Sequence, residues 1–357
     1  MRRGYPQTER LHPVPGASAQ IIGLLKNRMS GITLSRHAYA EVLRRIYPDL
    51  LDSTVDEASQ RKCKLNIWAA RPLSHRSLDS FRRLPGFNVW CLVVESTVLP
   101  ERSLEAAENA DQVWVPTTFC RDVCVKNGMH AEKVHVVPYF LPSPKRERKR
   151  PTTLDPYTVL VSWDGKSNLN RKNVINSIHA FKRLWQGNLD VRLKLKTRDL
   201  SEGDSQLVKR AIGRDARILL DDSFLPEVDD LFDGADCLMH CHRAEGYGRH
   251  IIEAMQRGLP VIATAYSGPM DWLHEDNAFL VDYKLSETSV SEYRYPQGGQ
   301  WAEPDFDGMA NQLYACFTSS SWANDKAANA KATVAKVCNI ERSMQAMLDA
   351  LTKGGFC

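Results

Sequence analysis

Short apolar runs alternate with amphipathic segments along most of the chain. The run 86–95 is rich in β-branched and aromatic residues, which is typical of a buried strand. The segment 34–46 instead places Ala38, Val42 and Ile46 at helical spacing. Because strands that alternate with helices form parallel βαβ units, the pattern predicts an α/β fold.

The same alternation is found in the second half of the chain. Strands are predicted at 192–197, 216–222, 236–240 and 277–283, and helices at 173–185, 203–214, 225–234 and 250–258. The segment 138–157 differs, because it carries five prolines and a basic run with little periodicity. We therefore expect a first domain over 1–138, a linker over 139–157, a second domain over 158–320 and, over 321–357, C-terminal helices that brace the first domain.

Length and composition fit this division. The chain has 357 residues, enough for two domains of roughly 140 to 200 residues each. The mean hydropathy is −0.38 and the net charge is +4, a mild excess that does not by itself indicate a nucleic-acid partner. No apolar core follows the basic residues 1–10, and no run has transmembrane length. We expect a cytoplasmic protein.

The basic run in the linker has two interpretations. It comprises Lys145, Arg146, Arg148, Lys149 and Arg150. The simpler interpretation is a solvated linker. The other is attraction to an anionic membrane surface, where each basic residue contributes about 1 kcal/mol, so that the protein would lie peripherally on the inner face of the membrane.

Nine cysteines are scattered along the chain without a CxxC pair, and reduced thiols are expected. Cys237 and Cys241 lie close to His240 and His242, which suggests a metal site. However, 236–240 is a predicted strand, whose side chains alternate between two faces and do not converge on one ion. We expect no structural zinc there.

Candidate chemistry is concentrated between 240 and 268. An apolar run ends, and Glu245, Gly246 and Gly248 precede a predicted helix that carries Glu253. Glycines permit close approach of a ligand to the backbone, and a helix N-terminus favours phosphate. Carboxylates accept hydrogen bonds from sugar hydroxyls. The stretch predicts a ligand with both phosphate and sugar groups, or else a Rossmann-type turn with two surface glutamates.

The whole string resembles a known family. The pattern E-x7-E with EGYG, followed by EAM-x-x-G-x-PVIAT-x-x-SG, resembles the nucleotide-sugar half of the retaining glycosyltransferases of family 4. The resemblance implies the GT-B fold, in which two Rossmann-like doubly wound domains face an inter-domain cleft. It places Glu245 beside the donor sugar and Glu253 on the nucleotide ribose. Further donor contacts are implied for Gly246, Tyr247, Gly248, Ser267 and Gly268.

A second segment, SWDGKSNLNRKN, resembles the part of the family in which an Arg-Lys pair holds the donor diphosphate. Carried over, Lys172 is the principal cation, and either Arg171 or Lys166 accompanies it. The departing nucleoside diphosphate develops negative charge, which side-chain cations and backbone amides can stabilise. The resemblance therefore implies Lys172, Arg171 and Glu245 as the catalytic residues.

Two positions are candidates on the acceptor side. Glu95 ends the strand-like run 86–95, and the following residues resemble a W-E-x-x-x-x-P segment of family relatives. An acid at the carboxyl end of a parallel strand points into the ligand crevice. Gly31 lies after the first predicted strand, at 19–25, where family members often carry a glycine-rich loop.

The resemblance also implies an activity. The segment 301–305 (WAEPD) resembles bacterial polysaccharide glycosyltransferases, which use mannose and rhamnose donors. We expect transfer of a sugar, with GDP-mannose as the favoured donor, to a glycan or lipid-linked glycan with retention of configuration. No cofactor or metal is expected, because Asp305 and Asp307 open a predicted helix, where acids act as N-caps and dipole partners.

Other functions remain open from the sequence. One is a non-catalytic nucleotide-sugar-binding module, and another is an epimerase or phosphorylase on the same fold. A DNA-directed glycosyltransferase would show affinity with a steep salt dependence. The chain has no base-reading motif, so no nucleic-acid partner is expected.

Overall fold

The computed structural model of the chain describes residues 18–22, 31–58, 60, 62–69, 75–99, 102–152, 154–184, 190–288 and 298–356. Two six-stranded sheets dominate the structure, and all neighbouring strands within each sheet are parallel. Helices connect the strands. This arrangement confirms the predicted α/β class with two doubly wound domains.

The first sheet has the strand order β2-β1-β3-β4-β5-β6. Its strands are β1 (Ala19–Ile22), β2 (Leu51–Ser53), β3 (Leu65–Trp68), β4 (Phe87–Cys91), β5 (Gln112–Val115) and β6 (Val134–Val136). Its helices are α1 (Gly31–Ile46), α2 (Val55–Ala58), α3 (His75–Arg82), α4 (Ser103–Glu108) and α5 (Thr118–Lys126).

The second sheet has the order β12-β11-β10-β7-β8-β9. Its strands are β7 (Tyr157–Ser162), β8 (Val191–Lys196), β9 (Ile218–Asp221), β10 (Cys237–His240), β11 (Val261–Thr264) and β12 (Phe279–Val281). Its helices are α6 (Leu169–Lys172), α7 (Val174–Leu184), α8 (Glu202–Ile212), α9 (Arg249–Gln256) and α10 (Phe306–Thr318). Every residue of β10 and β11 is buried, as expected for strands that are covered on both faces.

One hydrophobic core extends from the first domain into the second. Tyr139, in the linker, packs between Tyr39 of α1 and Tyr247 of the second domain, with ring centroids 4.7 and 4.9 Å apart. Leu43 of α1 and Ile251 of α9 belong to the same buried cluster. Burial of these side chains therefore stabilises the contact between the domains.

Two C-terminal helices carry the chain back across the molecule. The first, α11 (Ser320–Val337), lies on the second domain, where Lys326 donates to the carbonyl of Ala278 at 3.1 Å. The second, α12 (Ile340–Lys353), lies on the first domain, where Gln112 donates to the carbonyl of Ala350. The connection between them meets the linker, because the amide of Leu141 donates to the carbonyl of Cys338 at 3.0 Å.

Some elements differ from the sequence prediction. The chain that follows β12 forms an antiparallel hairpin of β13 (Tyr283–Glu287) and β14 (Gln300–Pro304), which was not predicted. The helix predicted at 225–234 is a single 3₁₀ turn, Val228–Phe232. Within the described ranges, no helix combines the length and apolar character needed to cross a membrane.

Candidate functional site

The topology of the second sheet determines where a ligand can bind. β7 and β10 are neighbours, but the chain leaves β7 toward β8 on one side and β10 toward β11 on the other. A crevice opens at such a switch point, outside the carboxyl ends of the two strands. Trp163 follows β7 and Glu245 lies shortly after β10. The residues around them form the candidate site.

Glu245 is the centre of a buried charged cluster. Its side chain accepts a hydrogen bond from Nζ of Lys172 and lies 3.3 Å from Nη1 of Arg171. Nε2 of His240 lies 3.1 Å from the same carboxylate oxygen. The structure thus brings together the three residues that the resemblance implied as catalytic, and it adds His240, which had been considered only as a metal ligand.

The charge states of this cluster follow from burial and ion pairing. Burial alone would raise the pKa of Glu245, but Lys172 and Arg171 outweigh burial and hold that pKa well below its ordinary value. Burial lowers the pKa of His240 to about 3, although the hydrogen bond to Glu245 opposes the shift. His240 is therefore neutral at pH 7. Because an ionised carboxylate only accepts hydrogen bonds, Nε2 carries the proton and donates to Glu245.

Local sequence explains the position of Lys172. Asn168 caps α6, since its side chain accepts from the amide of Arg171 at 2.8 Å. The helix stops at Asn173, which has the left-handed φ of 56° that asparagine tolerates. The Asn173 side chain donates to the carbonyl of Cys241 at 3.0 Å. The short helix is thus anchored at both ends, with Lys172 beside the end of β10.

The loop that carries Glu245 contacts the first domain. A Cβ atom at Gly246 would lie 2.3 Å from Cγ1 of Val93 and 2.7 Å from the carbonyl oxygen of Val94, so only glycine fits here. Thr117, at the start of α5, donates to the carbonyl of Gly246 at 2.8 Å. The sequence predicted that a ligand approaches this glycine. In the structure the first domain occupies that space.

Ser267 and Gly268 hold the same loop from the other side. The Ser267 hydroxyl accepts from the amide of Glu245 at 3.0 Å, and the amide of Gly268 donates to the carbonyl of Glu245 at 2.9 Å. Ser267 has φ 66° and ψ −152°, a region that is essentially restricted to glycine. Such strain is concentrated at functional sites and persists only where the surroundings impose it.

Gly248 and Tyr247, which are also predicted donor contacts, are not part of the interactions that hold Glu245 in the described residues. Gly248 is the N-cap residue of α9 and has φ 78°. The ring of Tyr247 is buried in the core between the domains, where its hydroxyl lies 3.2 Å from Sγ of Cys338. The structure places that side chain outside the charged cluster.

A pocket of about 120 Å³ lies next to the cluster, at the carboxyl ends of β7, β8 and β9. Glu253, which is 3 % exposed, lies in its wall, and its carboxylate accepts from Nε of Arg249 at 2.6 Å. The lining residues are Ser162, Trp163, Asp164, Lys196, Thr197, Arg198, Ser223, Leu225, Glu227, Val228, Leu231, Arg249, His250 and Glu253. His250 connects this pocket to the cluster, because its ring centroid lies 6.2 Å from that of His240.

Three polar atoms of this pocket are buried without a hydrogen-bond partner in the described part of the chain. They are Nε1 of Trp163, Oγ1 of Thr197 and Nη1 of Arg249. Buried polar groups in proteins are normally hydrogen-bonded, so three unsatisfied donors around one pocket indicate where the acceptor atoms of a ligand fit. We name this site the donor pocket.

These three residues were missed by the sequence analysis. Trp163 and Thr197 directly follow β7 and β8, and strand ends of this kind contribute to ligand sites in open α/β sheets. Arg249 begins α9, where the helix dipole disfavours a cation. An unfavourable charge at a helix start was the available signal.

The remaining predicted positions lie at different distances from the site. Glu95 of the first domain reaches the cluster, with Oε1 3.2 Å from Nη2 of Arg171. Lys166 instead pairs with Asp199 at 2.6 Å, and both side chains are more than half exposed. Gly31 is the first residue of α1, and the segment 23–30, for which the sequence predicts a loop, lies outside the described residues.

The acids considered for metal binding have protein partners. Asp305 caps α10 by accepting from the amide of Gly308 at 2.8 Å, and Asp307 pairs with Arg183 at 2.5 Å. In the described ranges, no group of three or more His, Cys, Asp or Glu side chains is arranged to hold a metal ion.

The basic linker contacts the second domain. Lys145 pairs with Glu227 at 2.8 Å, and Arg146 pairs with Asp230 and Asp233 at 2.5 and 2.7 Å. Two of the five basic side chains thus hold the linker in place through ion pairs, and a third, Arg148, donates a hydrogen bond to the carbonyl of Ala235.

Two parallel doubly wound sheets, with a site at the switch point of the second, define a GT-B protein. More specifically, the model of the family described as glycosyl transferases group 1 matches residues 166–293, which include the charged cluster and most of the donor pocket. No curated protein sequence matches the chain.

Solved structures share the fold. HepE of Anabaena, in complex with UDP and glucose, has a TM-score of 0.67 and 16% identity, over 94% of this chain and 99% of that one. A glycosyltransferase from Rickettsia africae has a TM-score of 0.66 and 12% identity, over 94% and 98%. The lipopolysaccharide outer core galactosyltransferase WaaB has a TM-score of 0.60 and 12% identity, over 94% and 99%.

Proposed function

We propose that the protein is a glycosyltransferase that moves a sugar from a nucleotide-sugar donor to a hydroxyl group of an acceptor. One observation carries the proposal: the donor pocket, with its three unsatisfied polar atoms, lies next to the buried cluster of Lys172, Arg171 and Glu245. A nucleotide sugar has a polar nucleoside at one end and a hexose at the other, joined by a diphosphate. The family match over 166–293 supports the same function.

The nucleoside is assigned to the donor pocket. Glu253 presents a carboxylate, which accepts hydrogen bonds from the ribose hydroxyls. The unsatisfied Nη1 of Arg249 and the start of α9 supply positive charge for the phosphates. Lys172 pairs with Glu245. The diphosphate, which joins the nucleoside to the sugar, is assigned to the position beside Lys172.

The chemistry follows from this arrangement. The bond between the anomeric carbon and the phosphate oxygen breaks, and the acceptor oxygen forms a new bond to that carbon. The acceptor proton passes to an oxygen of the departing phosphate. Lys172 stabilises the negative charge that develops on the leaving group. Glu245, fixed by Arg171 and His240, holds the sugar beside this charge.

Finer features of the proposal rest on the resemblance to family 4. The acceptor attacks the anomeric carbon from the same face as the leaving group, so the configuration is retained. The reaction needs no metal, and the sugar is mannose, with GDP-mannose as the favoured donor. HepE was solved with UDP-glucose, so UDP-sugars are the second candidates. The acceptor is proposed to be a glycan or lipid-linked glycan. Membrane contact through the basic linker stays a prediction, and Lys149 and Arg150 form no ion pair in the described ranges.

A donor screen followed by a turnover assay tests the proposal. The cognate nucleotide sugar at about 100 times its Kd should stabilise the protein by about 2.7 kcal/mol in thermal unfolding. With an acceptor panel it should then release a nucleoside diphosphate. Binding without turnover would favour a non-catalytic module, and conversion without acceptor an epimerase. A requirement for phosphate would favour a phosphorylase. If no GDP-, UDP- or dTDP-sugar shifts the unfolding temperature, the proposal is wrong.

A further inference from the structure

A second cavity lies where the chain passes between the domains. The linker segment 140–150 forms one wall, the end of α9 a second, and the junction of α11 and α12 a third. Its volume is about 680 Å³, compared with about 120 Å³ for the donor pocket. We call this cavity the crossover groove.

The crossover groove combines apolar and cationic surface. Its apolar part includes Phe140, Leu141, Val334 and Ile340. Its charged side chains are five cations and two acids, namely Arg146, Arg148, Arg150, Arg257, Lys331, Glu147 and Glu341. An excess of cations over an apolar surface is complementary to an anion that carries an apolar body.

Two of the five cations are neutralised by neighbouring acids. Arg146 pairs with Asp230 and Asp233, and Arg257 pairs with Asp229. In the described part of the chain, Arg148, Arg150 and Lys331 form no ion pair. Three cations of the groove are therefore outside any ion pair in the described ranges, and the groove has only two acids of its own.

Arg148 is the most constrained of these cations. Nη1 donates to the carbonyl of Ala235 at 2.7 Å, whereas Nε is buried without a hydrogen-bond partner in the described ranges. Burial and the nearby Arg150 lower the pKa of Arg148, and Asp236 and Asp233 oppose this only in part. A bound anion would relieve both the burial of charge and the repulsion between the two guanidinium groups.

The start of α12 adds to the positive electrostatic potential of the groove. Asn339, Ile340 and Glu341 line the groove, and α12 is 14 residues long. The positive end of its dipole therefore faces the cavity, as in known phosphate sites. Asn339 caps the helix by accepting from the amide of Arg342, and Glu341 is the one acid on this wall.

We propose that the crossover groove binds a phosphate-bearing molecule with an apolar body. The phosphate lies among Arg148, Arg150 and Lys331, and the apolar body packs on Phe140 and Val334. The linker and the α11–α12 junction both line the groove, so the bound molecule contacts both segments that cross between the domains. This site is separate from the donor pocket and does not depend on the proposed transferase activity.

Calorimetric titration of the full-length chain with 1-naphthyl phosphate tests the proposal. The wild type should bind it about tenfold more tightly than inorganic phosphate, because the naphthyl body adds apolar contact. It should bind 1-naphthol at least about tenfold more weakly than 1-naphthyl phosphate, because 1-naphthol lacks the anion. Vesicles that contain phosphatidic acid form a parallel arm, with phosphatidylcholine vesicles as the reference. Binding of the vesicles identifies a lipid headgroup as the source of the phosphate, and binding of the soluble probe alone identifies a free phosphomonoester.

Variants locate the site. Arg148→Gln/Arg150→Gln should weaken binding at least about tenfold, as expected for loss of charge-assisted hydrogen bonds. Lys331→Gln removes an exposed cation on the opposite wall without disturbing the core, and it should weaken binding about threefold or more. Lys336→Gln, exposed on the same helix but outside the groove, should bind as the wild type does. Lys172→Gln should also bind normally, which separates this site from the charged cluster around Glu245.

Two results would overturn the inference. One is that the wild type binds neither 1-naphthyl phosphate nor vesicles that contain phosphatidic acid. The other is that Lys331→Gln and the double variant bind as tightly as Lys336→Gln does. Because binding is measured directly, failure here leaves the proposed transferase function untouched, and loss of transferase activity leaves this result valid.

Discussion

Nη2 of Arg171 lies 3.2 Å from Oε1 of Glu95, so a side chain of the second domain pairs with an acid of the first. The other terminal nitrogen of the same guanidinium lies 3.3 Å from Glu245. Arg171 is 3 % exposed. Loss of one member of a buried ion pair leaves an uncompensated charge, so removal of Arg171 should destabilise both the candidate site and the contact between the domains.

Substitution of Lys172 tests the role of the cluster in catalysis. Lys172→Ala should lower kcat by about 100-fold or more, because the leaving diphosphate loses its charge partner. The measurement is initial-rate kinetics with the donor that the screen identifies. Lys209→Ala removes an exposed lysine on α8 and should retain wild-type kcat. Wild-type turnover by Lys172→Ala would exclude the assigned role.

Substitution of Glu253 tests recognition of the nucleotide. Glu253→Gln should raise the donor KM about tenfold and change kcat by less than about threefold, because the ribose lies far from the reacting carbon. Donor titrations at saturating acceptor provide both constants. Glu202→Gln changes an exposed acid on α8 and serves as the control. An unchanged KM would remove Glu253 from the ribose.

The strained backbone at Ser267 predicts that glycine is more stable than alanine at this position, which is the reverse of the order within a helix. At φ 66° and ψ −152°, Ser267→Gly should be more stable than Ser267→Ala by about 1 to 2 kcal/mol, because only alanine has a Cβ there. Both variants lose the hydroxyl that holds Glu245, so a loss of kcat common to both reports that hydrogen bond. Urea unfolding gives the stabilities.

Ser205, inside α8, supplies the matched control. There glycine should be less stable than alanine by about 1 kcal/mol, the usual order in a helix. Equal stability of the two Ser267 variants would show that the backbone is unstrained at this position.

The buried histidine predicts how stability depends on pH. The pKa of His240 falls from 6.5 to about 3 on folding, so between these values the unfolded chain binds a proton that the folded chain does not. Stability should therefore decrease as pH falls below 6.5, by up to about 1.4 kcal/mol per pH unit from this group. Burial lowers the pKa of His242 and His250 in the same direction.

His240→Asn keeps a donor for Glu245 but does not titrate. The free energy of unfolding between pH 7.5 and 5 should fall less steeply in this variant, by up to about 1.4 kcal/mol per pH unit. His130→Asn changes an exposed histidine and should leave the slope as it is. An unaltered slope in His240→Asn would indicate that His240 binds the same number of protons in the folded and unfolded states, which would contradict a lowered pKa.

The two acids that follow β14 separate a capping role from a metal role. Asp305→Asn retains a good N-cap for α10, whereas Asp305→Ala should destabilise the protein by about 1 kcal/mol. Activity should be insensitive to EDTA in the wild type and similar in both variants. A wild type that is active only with added Mn²⁺, together with loss of that activity in both Asp305 variants, would assign a metal to these acids.

The amino-acid sequence by itself determined the features that depend on near neighbours. The alternation of strands and helices predicts two doubly wound domains, because periodicity within each segment sets which face is buried. Asn168 and Asn173 are the N-cap and C-cap of the short helix that carries Lys172, which is a local arrangement. Glu245 and Glu253 are close in the chain and separated by one helix start, so their proximity to a common crevice is also a local property.

The tertiary structure alone decided the rest, because those features join residues that are distant in the chain. Thr117 and Gly246 are 129 positions apart and hydrogen-bonded, and the close approach of Val93 and Val94 to the same loop explains a glycine that the sequence assigned to a ligand. The donor pocket requires the ends of β7, β8 and β9 to meet α9. Arg146 and Arg150 belong to the same basic run, but in the described part of the chain folding brings carboxylates only to Arg146, which forms ion pairs with Asp230 and Asp233. Local pattern encodes which face of a segment is buried, but it does not encode what that face packs against.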